Sequence, residues 1–308
     1  MVLQPHSLGD GMGIKRIAVV VNPRGGRCNG IRVFDRIAPI FATADIELEI
    51  TVTERAGHAF EIAANLDLNR LEAICVVGGD GTIHEVANGL MQRSETIKVP
   101  IGIIPAGTGN SIAQHLGFET PTDAAHRIVA GRTEPLDIIE VALKDRKIYC
   151  ANIVGWGAVS DINATAERMR FMGVSRYSLS ALWHIASPTI RKTTLVLDGK
   201  SQSDDFLFVM ACNTRFTGAG MKLAPSAEIG DAKIDVVVMR RASRWQLLSL
   251  FRKVFDGSHV SMPCVEIHQV RSFSIHSEGS HSLNLDGEMK GTCPMSATVI
   301  PAALTIYA

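Results

Sequence analysis

The sequence predicts an α/β amino-terminal half built on a parallel sheet, followed by an antiparallel, β-rich carboxy-terminal half. Three observations carry that prediction. Continuously apolar runs alternate with helix-periodic segments up to about residue 134, the order expected of strands covered on both faces. Two of those runs end in glycine-rich loops that open helices. From about residue 135 the pattern changes to short alternating segments separated by turns. The expected units are therefore residues 14–134 and 135–308.

A chain of 308 residues can bury a sizeable core in each unit. Its 31 basic and 31 acidic residues balance, so nothing in the net charge points to nucleic acid as a partner. The six cysteines include no Cys-x-x-Cys pair, which argues against a zinc or redox motif and for a reducing, cytoplasmic setting. The first fifteen residues lack the apolar run of a secretory signal, and no later run is long enough to span a membrane.

In chain order, Arg16 to Val21 reads as the first strand, bounded by Asn22-Pro23. In Asn22-Pro23-Arg24-Gly25-Gly26-Arg27 the glycines let the backbone approach an anion and the arginines neutralise it. Ile31, Phe34, Ile37, Ile40 and Phe41 have helical spacing, Ile46 to Thr53 alternates as a strand does, and Gly57 to Leu66 is a second helix. Leu71 to Val77 is again apolar and delivers Gly78-Gly79-Asp80-Gly81 at its carboxyl end, where open α/β sheets bind ligands. Thr82 is read as the helix cap and Glu85 as its capping-box partner, which aims free amides at the loop.

Asp80 sits inside this anion site, where a lone carboxylate repels phosphate. It fits as a ligand of the Mg²⁺ that accompanies ATP, or as the group that takes a proton from an attacking hydroxyl. His84-Glu85 resembles the start of a zinc-protease motif, but Asn88 stands where the second histidine must fall. Asn88 and Gly89 are expected to end the helix or face the loop. Val99 to Ile104 is another strand, followed by Pro105-Ala106-Gly107-Thr108-Gly109-Asn110-Ser111 and a short helix. Neither loop is a P-loop and neither completes Gly-x-Gly-x-x-Gly, so a nucleotide held here is held by another scheme.

Asn22 to Gly26, the Gly78 to Thr82 turn with His84-Glu85-Val86 and Asn88-Gly89-Leu90, and Pro105 to Asn110 together resemble the lipid kinases that share the diacylglycerol kinase catalytic domain. That family includes sphingosine and ceramide kinases. The resemblance covers nearly the whole chain and implies a nucleotide domain similar to that of NAD kinases and phosphofructokinases, then a β-rich lipid-binding domain. It also implies MgATP and a membrane-lipid hydroxyl as substrates, with a sphingolipid expected first, diacylglycerol as the alternative and NAD as a remoter one.

Residue by residue, the resemblance makes Asn22, Pro23, Arg24, Gly25, Gly26, Gly78, Gly79, Gly81, Thr82, Glu85, Gly107, Thr108, Gly109 and Asn110 nucleotide-binding, and Asp80 catalytic or metal-binding. Arg170 and Arg176 are carried over as phosphate-binding arginines, and Asp161, Asn163 and Tyr177 as lipid contacts. Asn163 is a departure: sphingosine kinases carry an acidic residue there, and a neutral amide gains no ion-pair energy with an ammonium. Asp286-Gly287-Glu288 matches the turn that reaches back to the nucleotide, with Asp286 and Glu288 as Mg²⁺ candidates; an ordinary Asp-Gly hairpin reads equally well. His268, His276 and His281 are spaced for alternate strand faces rather than a metal cluster. The amphipathic stretches Ser243 to Phe255 and Tyr177 to Ile185 are candidates for peripheral contact with a membrane surface.

Overall fold

A computed structural model describes residues 15–169, 175–218 and 220–308. The chain opens as β1 (Lys15–Val21), α1 (Gly25–Cys28), α2 (Gly30–Thr43), β2 (Ile46–Val52), α3 (His58–Asn65), β3 (Ala73–Gly78), α4 (Asp80–Met91), β4 (Ile101–Pro105), α5 (Ser111–His115) and α6 (Pro121–Ala130). The strands pair in parallel in the order β2-β1-β3-β4. Successive parallel strands need a crossover, and the helices between them supply it. The apolar runs of β1 and β3 are covered on both faces, and Ile37 and Phe41 of α2 are fully buried against them. β2 differs: as the edge strand it leaves Ile50 and Val52 nearly half exposed.

The second half comprises β5 (Thr133–Ala142), β6 (Lys147–Cys150), β7 (Ile153–Gly157), α7 (Ala158–Arg168), α8 (Ser175–Ala186), β8 (Arg191–Leu197), β9 (Lys200–Cys212) and β10 (Ile234–Arg240). It closes with α9 (Arg244–Lys253), β11 (Val265–Val270), β12 (Ser272–Ser277), β13 (Ser282–Leu285), β14 (Glu288–Thr292) and β15 (Met295–Tyr307). Pairing here is antiparallel, in the order β14-β13-β7-β9-β8-β12-β15, with β5 and β10 branching from β15 and β9. Asp198 and Gly199, both at positive φ, make the tight turn between β8 and β9 that their sequence suggests. β6 and β7 are separate strands because Ala151 and Asn152, between them, turn their amides away from the ladder towards Asp286.

β15 joins the halves. It lies parallel to β4 through Ile306 and Ile101 while pairing antiparallel with β5 and β12. Leu304 and Ile306 consequently belong to the core of the parallel sheet. Asp137 pins this seam: its buried carboxylate accepts from the amides of Ala302 at 2.7 Å and Ala232 at 2.6 Å, two residues held at positive φ.

Candidate functional site

Three glycine-bearing loops meet at the carboxyl ends of β1, β3 and β4. A Cβ on Gly107 would lie 2.4 Å from Cα of Gly79, and one on Gly26 would lie 2.6 Å from the carbonyl oxygen of Ala106. The loops therefore touch backbone to backbone, and a side chain at either position forces them apart. Asn22 ties the first loop to the second by donating from Nδ2 to Oγ1 of Thr82 at 2.8 Å, while its Oδ1 accepts from the amide of Arg24 at 3.0 Å. Asn110, at φ +49°, closes the third loop by accepting from the Gly107 amide at 2.8 Å and donating to its carbonyl at 3.1 Å. Pro23 is half-buried, and Arg24 and Thr108 are exposed at the rim.

Asp80 is the first residue of α4, and its carboxylate crosses to the start of α5. It accepts from the Ser111 amide at 2.8 and 3.1 Å and from Ser111 Oγ at 3.1 Å. Gly109 leaves room for this: a Cβ there would sit 2.9 Å from Oδ2 of Asp80. Burial pushes the Asp80 carboxyl above its ordinary value, and the Ser111 hydrogen bonds pull it back only in part. A carboxylate tuned in this direction is suited to take a proton near neutral pH. Gly81 faces open space, met only by Oε1 of Glu288 at 3.6 Å from where its Cβ would be.

The capping box expected of Thr82 and Glu85 does not form. Gly79 holds the N-cap position with no side-chain bond, and Thr82 lies one turn inside, receiving Asn22. Glu85 caps a different helix, accepting from Gly57 N at 2.8 Å and Ala59 N at 3.2 Å at the start of α3, so its carboxylate does not line the loops. Asn88 and Gly89 do not end the helix either. Asn88 docks α4 on β6, donating to the Tyr149 carbonyl at 2.7 Å and accepting from its amide at 2.9 Å. Gly89 lets α3 approach, since a Cβ would fall 2.4 Å from the Phe60 carbonyl oxygen.

The tail turn does reach back, but its two acids play different parts. Asp286 is buried, and its oxygens accept from the amides of Ala151 (2.9 Å), Asn152 (2.9 Å) and Ile153 (2.8 Å) and from Nδ1 of His84 (2.9 Å). With both oxygens saturated by N–H donors, Asp286 is not a Mg²⁺ ligand; it staples β7 and α4 together. Because Asp286 can only accept and Lys290 can only donate, His84 carries its proton on Nδ1 and presents Nε2 to Lys290 Nζ at 3.3 Å. Cys150 lies in the same cluster, within 4.8 Å of both, and burial raises its thiol well above the ordinary range. A neutral thiol, a saturated carboxylate and an adjacent ammonium make a poor cation site. Glu288, by contrast, is exposed beside Gly81 and fits a Mg²⁺ ion or its water shell.

Asp161 is paired with Arg191 at 2.8 Å, so it presents no free charge of its own to a lipid. Asn163 is buried on α7 and donates from Nδ2 to the Gly287 carbonyl at 2.7 Å, which links α7 to the tail turn. Arg170 and the side chains of Arg176 and Tyr177 lie outside the described residues. The sequence reading named Ser111, His84 and Asn88 in its motifs without the contacts they make, and it missed the loop after β9, where the Gly218 carbonyl lies 3.5 Å from the position of a Gly109 Cβ. Two glycines soon after a strand, Gly218 and Gly220, were the available signal for that loop.

Residues 16–141 match the diacylglycerol kinase catalytic domain, and residues 152–308 match the YegS C-terminal NAD kinase beta sandwich-like domain. Sphingosine kinase 1 of Arabidopsis thaliana is 31% identical over 84% of this chain, which spans 64% of that relative's length. Diacylglycerol kinase of Bacillus subtilis is 26% identical over 91% of the chain and 92% of its own, and the Mycobacterium tuberculosis enzyme of the same name is 29% identical over 99% and 96%. A diacylglycerol kinase structure from Bacillus anthracis shares the fold at TM-score 0.74 and 20% identity, covering 97% of this chain and 98% of that one. An NAD kinase from Archaeoglobus fulgidus in complex with ATP follows at TM-score 0.51 and 13% identity over 95% and 93%. Three converging glycine loops ahead of a β-rich tail thus have a family: the chain belongs to the proteins that join a diacylglycerol kinase catalytic domain to a YegS C-terminal NAD kinase beta sandwich-like domain.

Proposed function

We infer that this chain transfers the γ-phosphate of MgATP to a hydroxyl of a membrane lipid, residues 14–134 holding the nucleotide and 135–308 the acceptor. The observation that carries this reading is the position of Asp80, one ionisable oxygen pair set among three loops whose backbones are bare. Asp80 takes the proton of the attacking hydroxyl, and the loop amides and the start of α4 receive phosphate oxygens. Mg²⁺, when bound, would neutralise charge on the phosphates; with Asp80 acting as the base, the exposed Glu288 is the carboxylate that fits it. Arg24 at the rim supplies further positive charge.

The acceptor we favour is a sphingolipid, with a neutral head group such as ceramide ahead of a free sphingoid base. Diacylglycerol is the second reading, and the same residue supports it. With Nδ2 of Asn163 committed to the Gly287 carbonyl, its Oδ1 accepts from a hydroxyl or amide of a neutral lipid. A carboxylate at this position faces that carbonyl oxygen and favours a cationic partner instead. Asn163→Asp is therefore expected to raise the ratio of kcat/KM for sphingoid base over ceramide or diacylglycerol by roughly tenfold, the worth of one charge-assisted bond. An unchanged ratio rejects Asn163 as an acceptor contact.

A further inference from the structure

Six buried side-chain polar atoms have no hydrogen-bond partner among the described residues, and three of them belong to two residues of β8: Nε and Nη1 of Arg191 and Oγ1 of Thr193. Folded chains rarely leave such atoms unmet, because each gives up its bonds to water on burial. A guanidinium has donors on every nitrogen and cannot shed its charge. Among the described residues Arg191 engages only Nη2, which donates to the two oxygens of Asp161 at 3.0 and 2.8 Å.

Fold stability does not explain this arrangement. Side chains alternate along β8, so Arg191, Thr193, Leu195 and Leu197 share one face, and the two leucines enter the core of the β-rich half. A valine in place of Thr193 continues that core without an orphaned hydroxyl. The neighbouring strand β9 offers no acceptor to either residue. Phe206 stands opposite Arg191, and Asp204, opposite Thr193, is bound to Arg240.

The missing partner is an oxygen acceptor, and the charges restrict its kind. Asp161 balances Arg191, so the pair is neutral as a whole. An anion brought to Arg191 comes against the Asp161 carboxylate, and an ammonium comes against the guanidinium. A carbonyl oxygen meets neither objection, since it only accepts and Arg191 only donates. Asp161 and Asn163 stand two residues apart on α7 and leave it on different sides, the second reaching the tail turn. What Arg191 meets is therefore a second polar group of the acceptor, apart from the hydroxyl that reacts. The side chains of Asp161 and Arg191 are 28% and 15% exposed, and Thr193 is buried above the leucines, so a polar mouth leads to an apolar interior. An acyl group has that same order, a carbonyl and then a hydrocarbon chain.

We propose that Arg191 and Thr193 hold an acyl carbonyl of the acceptor, a refinement that rests on the lipid kinase reading and selects ester- or amide-linked lipids over a free sphingoid base. The test compares kcat/KM for a diacylglycerol and for the dialkylglycerol of equal chain length, in which ethers replace the esters and no carbonyl remains. Ceramide against sphingoid base is read in the same way. The parent protein is expected to favour the carbonyl-bearing member of at least one pair by roughly tenfold, the worth of one hydrogen bond to a charged donor. Thr193→Val should narrow that ratio by about threefold while the melting temperature holds or rises, because a buried hydroxyl without a partner is removed. Arg191→Met with Asp161→Asn, which leaves no charge unpaired, should remove the preference. A hydroxyl that serves the fold alone gives the opposite result for Thr193→Val, a lower melting temperature with an unchanged ratio. A parent ratio near one in both pairs, or a ratio that neither variant changes, overturns the proposal while the kinase reading stands. No transfer to any of these lipids rejects the kinase reading itself, and the proposal with it.

Discussion

Asp80→Asn is expected to lower kcat by roughly 10²–10⁴, the range spanned by loss of a positioned general base, while the protein stays folded. The amide keeps one oxygen to accept from Ser111, so the junction of α4 and α5 retains much of its geometry. In the parent enzyme the base has to be ionised to act. Because burial places the Asp80 carboxyl above its ordinary value, activity should disappear on acidification in a limb lying above the ordinary carboxylate range, and persist at higher pH. The variant's residual activity should lack that limb. A variant with parental kcat and an unchanged acidic limb removes Asp80 from the chemistry, whereas near-parental thermal stability in the inactive variant shows that the loss is not unfolding.

The second large effect is on stability. Asp286→Ala strips one carboxylate from the three amides at Ala151, Asn152 and Ile153 and from His84, all in a region closed to water. Deleting one partner of a buried charged network costs about 3–5 kcal/mol, because the donors left behind remain desolvated. The melting temperature should fall on the order of 10 °C. Asp286→Asn, which keeps one acceptor oxygen, should fall between the two. If alanine leaves the melting temperature within about 1 °C of the parent, Asp286 is not the staple described.

Much of the fold could be read from the chain because β1 and β3 are buried on both faces and so read as unbroken apolar runs. The glycine loops were legible for a related reason: backbone contacts such as Gly79 against Gly107 exclude every other residue, and exclusion leaves a mark in the sequence. Polar staples leave no such mark. Asp286 and Glu288 look alike in an Asp-Gly-Glu turn, and only the amides that β7 aims at the first distinguish a structural carboxylate from an exposed one. Glu85 misled in the same way, since a glutamate three residues after a threonine fits a capping box in sequence while its true partner, the start of α3, comes from an earlier segment. His84 and Asn88 bind β6 and the tail, contacts separated from them by tens to hundreds of residues and invisible to local periodicity.

The central claim is that this arrangement phosphorylates a lipid hydroxyl. The most direct test incubates the protein with ATP labelled at the γ-phosphate, Mg²⁺, and in turn ceramide, sphingoid base, diacylglycerol and NAD, and follows where the label goes. The account predicts labelled lipid phosphate from at least one of the three lipids, with none from NAD and none in the Asp80→Asn protein. Label transferred to NAD alone, or to a lipid equally well by the Asp80→Asn protein, contradicts it.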